Sequence, residues 1–490
     1  MSTTDDIPVA VAGPTLVIPQ AAEFEDDLET LSYRNQSSVA LAVLTALNVA
    51  GVQFVRFAAL DVSNNLRCKL VPLDRLLADP SKFYSGVGIA EVVLGGLTSR
   101  EDVPVKGWGD SPARLLSLIP DISSLRILSC NKTTAMVLGT LQQPSADDNL
   151  KFSSSPLCTR HLLKRVVQTA EKAFGLAFTV GVEIEFCLFR SDDDSPVDSS
   201  LYGTTTTINE QSSFISDLYE QLKLQSIEVE QIHSESAPGQ VEVVLGRVKD
   251  DVVRMADNVV FAHETIQNCA KMHKLRAVFL PKVFADQAGN GMHLHMSFRE
   301  LSDNARHKDQ INSFLRASVA GQISRKGRSF VEGILQHLAA LLCVTIPKAN
   351  SFRRVGPGCW TGHSIGWDIE DKESPLRVCM DGVTGEPTNV ELKLSDNTSN
   401  VYLSLALVLS AGLDGIKKHL TLRPSIGLAG PGAPLPATLQ ESADLLSKDQ
   451  LLLRVMGPEL SQAYIAVTRK EAEGVNDALE SEVWRALKRA

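Results

Sequence analysis

The stretch GVEIEFCLF, residues 181–189, alternates with period two, so an extended strand puts Glu183 and Glu185 on one face and Val182, Ile184, Phe186 and Leu188 on the other. Three further stretches read the same way. GMHLHMSF (291–298) sets His293, His295 and Ser297 opposite Met292, Leu294, Met296 and Phe298, and QVEVV (240–244) sets Glu242 opposite Val241 and Val243. VELKLSD (390–396) sets Glu391, Lys393 and Ser395 opposite Val390, Leu392 and Leu394. Each strand has an oily face and an ionisable one, the pattern of a half-covered antiparallel sheet. A solvated face mixes Lys, Thr, Ser and Glu, whereas these four present chiefly Glu and His, and no local Lys relieves the repulsion between Glu183 and Glu185. Like charges on one face must be compensated. Carboxylate oxygens with one imidazole suit Mg²⁺ or Mn²⁺, and several carboxylates can hold more than one ion. Beside the arginine-rich NSFRRVGPG (350–358) and Arg377, such ions form a site for a polyphosphate, because metals bridge phosphate oxygens and guanidinium groups grip them in pairs. ATP-driven chemistry is the expectation.

Outward from these strands, helical patterns at 158–174, 208–224, 249–274, 330–346, 398–418 and 440–470 alternate with strand patterns in a large α+β body. Residues 191–213 and 422–438 are loops by composition. Ahead of the body, residues 1–35 read as a loose acidic leader and SSVALAVLTALNVAG (37–51) as a helix with a Ser N-cap and Gly51 past its end. VQFVRFAALD turns through Ser63-Asn64-Asn65 into LRCKLVP as a hairpin, and short strands around 114–140 complete a small mixed sheet. The polar QQPSADDNLKFSSSP (142–156) has a linker's composition, which divides the chain into 1–35, 36–145 and 146–490.

With 490 residues, 44% hydrophobic and 22% charged, the chain can bury a large core. Its 48 basic against 58 acidic residues argue against binding to nucleic acid, and small molecules are the expected partners. The eight cysteines form no C-x-x-C pair, so neither a disulfide framework nor a zinc site is expected. The N-terminus lacks a signal peptide's basic region, and the longest apolar run, 401–416, is too short to span a bilayer. A soluble cytoplasmic protein is expected, with no membrane partner.

Taken together and in this order, GVEIEFCLF, HSESAPGQVE (233–242), PKVFADQAGNGMHLHMSF (281–298), NSFRRVGPG and VELKLSDNTSNVYLSLALVLSAGLDGI (390–416) resemble the glutamine synthetase superfamily, in its type I-like branch. The likeness runs from about residue 50 to near the end. It implies a small N-terminal β-grasp domain and a large catalytic domain with a curved antiparallel sheet flanked by helices. The reaction it implies phosphorylates the γ-carboxylate of glutamate with ATP, after which an amine displaces the phosphate. By motif, Glu185, Glu235 and Glu242 would hold one Mg²⁺ or Mn²⁺ ion, and Glu183, His293 and Glu391 another, with two or three ions in a site. His295 and Ser297 fall where the family contacts the nucleotide, Arg354 and Gly289 where it holds glutamate, and Arg377 where it grips phosphate. The resemblance also implies a homo-oligomer of stacked rings, a decamer or dodecamer.

Several positions depart from that pattern. Lys372 and Lys393 stand where the family has arginines, which keeps the charge and loses the bidentate fork. Ala288 replaces the asparagine of the loop before His293. The two carboxylates that serve ammonia-using members are absent, with Trp360 at one position and Ser85 at the other. An aromatic residue there suits an organic amine, through apolar or cation-π contact. The expectation is therefore an ATP-dependent ligase making a γ-glutamyl amide with an organic amine, nearer to the γ-glutamyl-amine ligase branch than to true glutamine synthetase. Glutamine synthesis from ammonia and a structural or regulatory homologue without catalysis are the alternatives.

Overall fold

The computed structural model describes residues 33–106, 114–144, 152–199, 201–301, 321–473 and 479–489. Most of the expected acidic leader lies outside them. Two sheets organise the chain.

In the first sheet, Phe54–Leu60 and Leu66–Pro72 form the expected hairpin, with Asn64 at φ +67 in its turn. Phe54–Leu60 also runs parallel to Thr134–Pro144, so the sheet is mixed. The helix Tyr33–Val49 packs Leu44 and Leu47 into a core with Phe57 and Phe83. It begins at Tyr33, so the serine expected as its N-cap lies inside it; serine costs a helix interior only a few tenths of a kcal/mol, roughly, and the turns continue through it. Gly51, at φ +81, ends it as expected. The polar 142–156 stretch is not free linker at its ends, because Phe152–Ser154 pairs back onto Gln142–Pro144 as an edge of this sheet. Edge strands exposed on one side tolerate that polar composition.

The second sheet has nine strands. Its main path runs Trp367–Ile369, Leu376–Met380, Pro387–Leu392, Leu294–Glu300, Leu176–Arg190, Gln240–Leu245, Val229–Ser234. All its pairings are antiparallel except the first. Val182, Ile184, Phe186, Leu188, Val241, Val243, Leu294, Met296, Val390 and Leu392 are all buried, which fixes the apolar face that the alternation predicts. At about 1.5–3 kcal/mol per buried aliphatic or aromatic side chain, slipping any of these strands by one residue would forfeit its share of the core. The helices Val252–Met272, Arg325–Thr345 and Val401–Lys417 contribute to the same core. The last two approach so closely that a Cβ on Gly415 would lie 2.0 Å from the Ser329 carbonyl oxygen and one on Gly333 2.3 Å from that of Ala411.

Two expectations are corrected here. The helical pattern at 440–470 is three helices, Leu439–Leu446, Gln450–Met456 and Pro458–Glu473. Asp449 caps the second by accepting from the Leu451 and Leu452 N–H groups, and Gly457 at φ +78 followed by Pro458 separates it from the third. The 191–213 segment, a loop by composition, contains the helix Thr205–Glu210, whose Thr207 is buried, and the start of Ser212–Leu224.

Candidate active site

Strand register gathers the polar face. Glu242 lies directly across from Glu185 on one side and His233 on the other, while His295 and Arg377 each lie across from Glu391. Glu183 stands between two imidazoles, its Oε2 3.0 Å from His293 Nδ1 and its Oε1 3.0 Å from His295 Nε2. Burial opposes the charged form of this carboxyl, but His295 and the hydrogen bonds from both histidines hold it well below the usual range. The same ion pair, against burial, holds the His295 imidazolium well above the usual histidine range, with Glu391 adding to it.

Glu391 is fully buried between two cations, Arg377 Nε at 2.5 Å and Lys393 Nζ at 3.1 Å, with the His293 imidazole Nδ1 at 3.3 Å. Burial again works against its charge, yet Lys393, then His295 and His293, bring its pKa down to about 2.

The other half of the face crowds three carboxyl groups, Glu185, Glu235 and Glu242, around one histidine, His233. Glu185 accepts from the Gly291 N–H at 2.8 Å and from Gln240 Nε2 at 3.1 Å, neither of them a cation. Burial first, and then the charges of Glu183 and Glu185, push Glu242 up to about 8, although His233 Nε2 stands 3.0 Å away. Burial and Glu185 push Glu235 up to about 7. In return the Glu242 hydrogen bond raises His233 to about 9.

This chemistry fits divalent cations. One atom each from Glu183, Glu242 and His293 lie within 4.8 Å of one another, and the same holds for Glu183, His295 and Glu391 and for His233, Glu235 and Glu242. Hard oxygens with one or two imidazoles are the donor set of Mg²⁺ or Mn²⁺. Five of the six residues expected to hold metal fall in these groups, and the sixth, Glu185, lies across from Glu242 with its Oε1 3.6 Å from His293 Nε2. Beside them, His295 and Ser297 line a cleft of about 190 Å³ together with Thr179, Gly181, Arg247, Thr388 and Asn389.

Arg354 ends the 3₁₀ turn Asn350–Arg354 and is buried under the loop before His293. Its Nη1 donates to the Ser395 carbonyl at 3.0 Å, and its Nε has no hydrogen-bond partner. A Cβ on Gly289 would come 3.0 Å from Arg354 Cβ, and one on Gly291 would come 2.4 Å from His293 Nε2 and 2.8 Å from Arg354 Nη2, so glycine is what lets loop, imidazole and guanidinium share this space. Asn290 anchors the loop by donating to the Val278 and Leu280 carbonyls.

Trp360 is 53% exposed, at φ +60, and so is no core residue. Its backbone N–H donates to Glu373 Oε1 at 3.0 Å. The Lys372 ammonium lies 5.9 Å from the Trp360 ring centroid and 5.6 Å from that of Tyr202. Tyr202 in turn meets His233 edge-on, at 6.0 Å between centroids. Sequence reasoning missed Tyr202, which sits in a segment assigned as loop, and it missed His233, although His233 and Glu235 are two residues apart in a quoted motif.

The model of the glutamine synthetase catalytic domain matches residues 156–486. The chain belongs to the glutamine synthetase family. Membership gives it the enzyme class of an ATP-dependent glutamate-amine ligase. Among its relatives, the gamma-glutamylpolyamine synthetase GlnA3 of Streptomyces coelicolor is 32% identical over 459 residues, 89% of this chain and 94% of that protein. A glutamine synthetase of Methanocaldococcus jannaschii is 29% identical, over 74% of this chain and 80% of its own length. A solved structure described as a novel glutamine synthase homolog superposes with a TM-score of 0.76 at 26% identity, covering 89% of this chain and 98% of its own. No helix among the described residues of this family member is long and apolar enough to cross a membrane.

Proposed function

We propose that this protein uses ATP to join the γ-carboxylate of glutamate to a cationic organic amine. A γ-carboxylate oxygen attacks the terminal phosphorus of ATP and releases ADP. The ammonium group that reacts first gives up a proton to solvent, its freed nitrogen attacks the acyl carbon of the γ-glutamyl phosphate, inorganic phosphate leaves, and the nitrogen gives up a second proton.

Glu185, Glu235 and Glu242 on one side, and Glu183, His293 and Glu391 on the other, are the residues we assign to hold Mg²⁺ or Mn²⁺, which supply charge neutralisation for phosphoryl transfer. Arg354, with an unpartnered Nε beside the Gly289 loop, binds the glutamate carboxylate. Arg377 and Lys393 flank Glu391 and steady the transferred phosphoryl group. His295 and Ser297, on the cleft wall, meet the nucleotide, and Lys372 reaches its phosphates when it leaves the aromatic pair. The reading includes a β-grasp domain at 36–145, a catalytic domain at 146–490, and assembly into stacked rings.

The observation that carries the choice of amine is the pair of rings around Lys372. An ammonium on an alkyl stem already sits about 6 Å or less from two aromatic faces, within cation-π range. An organic ammonium is chemically the same object, and a small hydrated ammonium ion gains less from such apolar walls. The test is ATP-dependent phosphate release with glutamate, screened against ammonium, polyamines, ethanolamine and aromatic amines. Polyamines or ethanolamine should saturate well below ammonium. Trp360→Glu should shift the ratio toward ammonia use while thermal unfolding stays near the parent, because position 360 is half open to solvent. Ammonium saturating lowest of all, or a folded Trp360→Glu variant with an unchanged ratio, would sink the organic-amine assignment.

A further inference from the structure

We propose that Asp217, Cys269 and His273 form a three-ligand zinc site outside the active site, its fourth position open to solvent. Cys269 and His273 are four residues apart at the end of the Val252–Met272 helix and so share a face. Asp217 comes from the helix Ser212–Leu224, packed alongside. Its Oδ2 lies 3.6 Å from Cys269 Sγ and 3.1 Å from His273 Nε2, and one donor atom from each residue lies within 4.8 Å of the other two.

Zinc bonds of about 2.3 Å to sulfur and about 2.0 Å to nitrogen and oxygen, at tetrahedral angles, place sulfur about 3.5 Å and nitrogen about 3.3 Å from the oxygen. The measured spacings are thus those of tetrahedron edges. The Phe214 ring meets the His273 imidazole edge-on, at 5.9 Å between centroids, and helps fix its orientation. A sulfur, an imidazole and a single carboxylate select zinc over magnesium, the reverse of the active-site donor set.

The helix pair is held together beside the site, since Gln225 Nε2, just past the Ser212–Leu224 helix, donates to Thr265 Oγ1 at 2.7 Å and to Ser129 Oγ at 3.0 Å. The Cys269 side chain is buried, whereas those of Asp217 and His273 are 29% and 26% exposed, which leaves a route in from solvent. Burial and Asp217 hold the Cys269 thiol protonated, so binding must release its proton. A zinc ion here would pin the helix Ser212–Leu224 to the end of the helix Val252–Met272. No C-x-x-C pair marks it, because the ligands come from two separate helices.

The test uses full-length protein stripped of metal and titrated with Co²⁺, a spectroscopic substitute for zinc. A thiolate-to-cobalt charge-transfer band should saturate at one equivalent per chain, with proton release, and added Zn²⁺ should abolish it. Cys269→Ser should lack the band, and the half-exposed His273→Ala should bind Co²⁺ at this site about 100-fold or more weakly. Cys379→Ser, which removes a thiol near His295, should keep the band. Both site variants should unfold at the parent's metal-free temperature, which separates lost ligation from lost folding. A parent without the band, or a band that survives Cys269→Ser or vanishes in Cys379→Ser, overturns the site.

Discussion

Glu471 joins the two sheet units and the turn that carries Arg354, and Glu471→Gln measures how much that junction contributes. The carboxylate, 4% exposed, is 3.0 Å from Lys348 Nζ and 3.1 Å from Arg100 Nε, and it accepts the Ser99 N–H at 2.5 Å. Ser99 and Arg100 belong to the N-terminal unit, and Lys348 lies two residues before the 3₁₀ turn that ends at Arg354. Burial works against the charge, but Lys348 and the Ser99 hydrogen bonds bring the pKa from 4.5 down to about 2. A carboxyl lowered in the folded state contributes stability above its unfolded pKa and loses it as pH falls through the folded one. Here that is about 3 kcal/mol at pH 7, falling to about 1 kcal/mol near pH 3. Glutamine keeps the shape and some hydrogen bonding but not the charge. Urea unfolding of parent and variant should therefore differ by about 2–3 kcal/mol at neutral pH and by less than half of that near pH 3. The KM for glutamate should also rise more than that for ATP, since the Arg354 turn loses an anchor. A stability gap that is independent of pH, or a gap below about 0.5 kcal/mol at pH 7, the scale of an ordinary surface substitution, would refute the reasoning.

Glu183→Ala or His293→Ala should abolish divalent-dependent ATP binding while circular dichroism and the unfolding midpoint stay close to the parent, because both side chains face the site and not the core; parent-like Mg²⁺-ATP binding in both would reject them as ligands. Arg354→Ala should weaken glutamate by roughly 2–4 kcal/mol and ATP much less, measured by titration with each, and equal losses would mark a structural role. Gly415→Ala forces a methyl to within 2.0 Å of the Ser329 carbonyl oxygen, so the helix pair under the sheet must part; the thermal midpoint should fall, with stability lower by about 1–3 kcal/mol, and an unchanged midpoint would reject the close approach.

How much of this was legible in the sequence follows from which contacts are local. Alternation along single strands placed Glu183, Glu185, Glu242, His293 and Glu391 on one face, because period two is a property of one strand and needs no partner. It did not show that Glu242 faces Glu185 directly, or that Arg377 and Lys393 both close on Glu391, since register depends on pairing between distant segments. Glu235 came from the resemblance carried by HSESAPGQVE and not from alternation, and that resemblance assigns no role to His233 in the same motif. Tyr202 was not legible: it reaches Lys372 and His233 from a segment whose Ser, Thr and Asp content signals only a loop. The serine cap and the single 440–470 helix failed for a different reason, as propensity is weak enough that a helix can run through serines, and a left-handed glycine can break a pattern whose apolar period continues.

The two lysines that stand in place of arginines bear on whether the site still works. Read from sequence, both weaken the grip on phosphate and leave room for a homologue that has lost catalysis. Their surroundings point the other way. Lys393 is buried, with Nζ 3.1 Å from one oxygen of Glu391 while Arg377 Nε takes the other at 2.5 Å. A second planar guanidinium would have to share that carboxylate with the first and with His293, and a compact ammonium fits such crowding better. At position 372, a point charge on a flexible stem can rest between Trp360 and Tyr202 and still swing toward phosphate, whereas a guanidinium would stack on one ring and stay there. Decay would be expected to strand charges without partners, and Glu391 has two cationic ones, Arg377 and Lys393, within 3.1 Å. Both lysines therefore fit a site that still works.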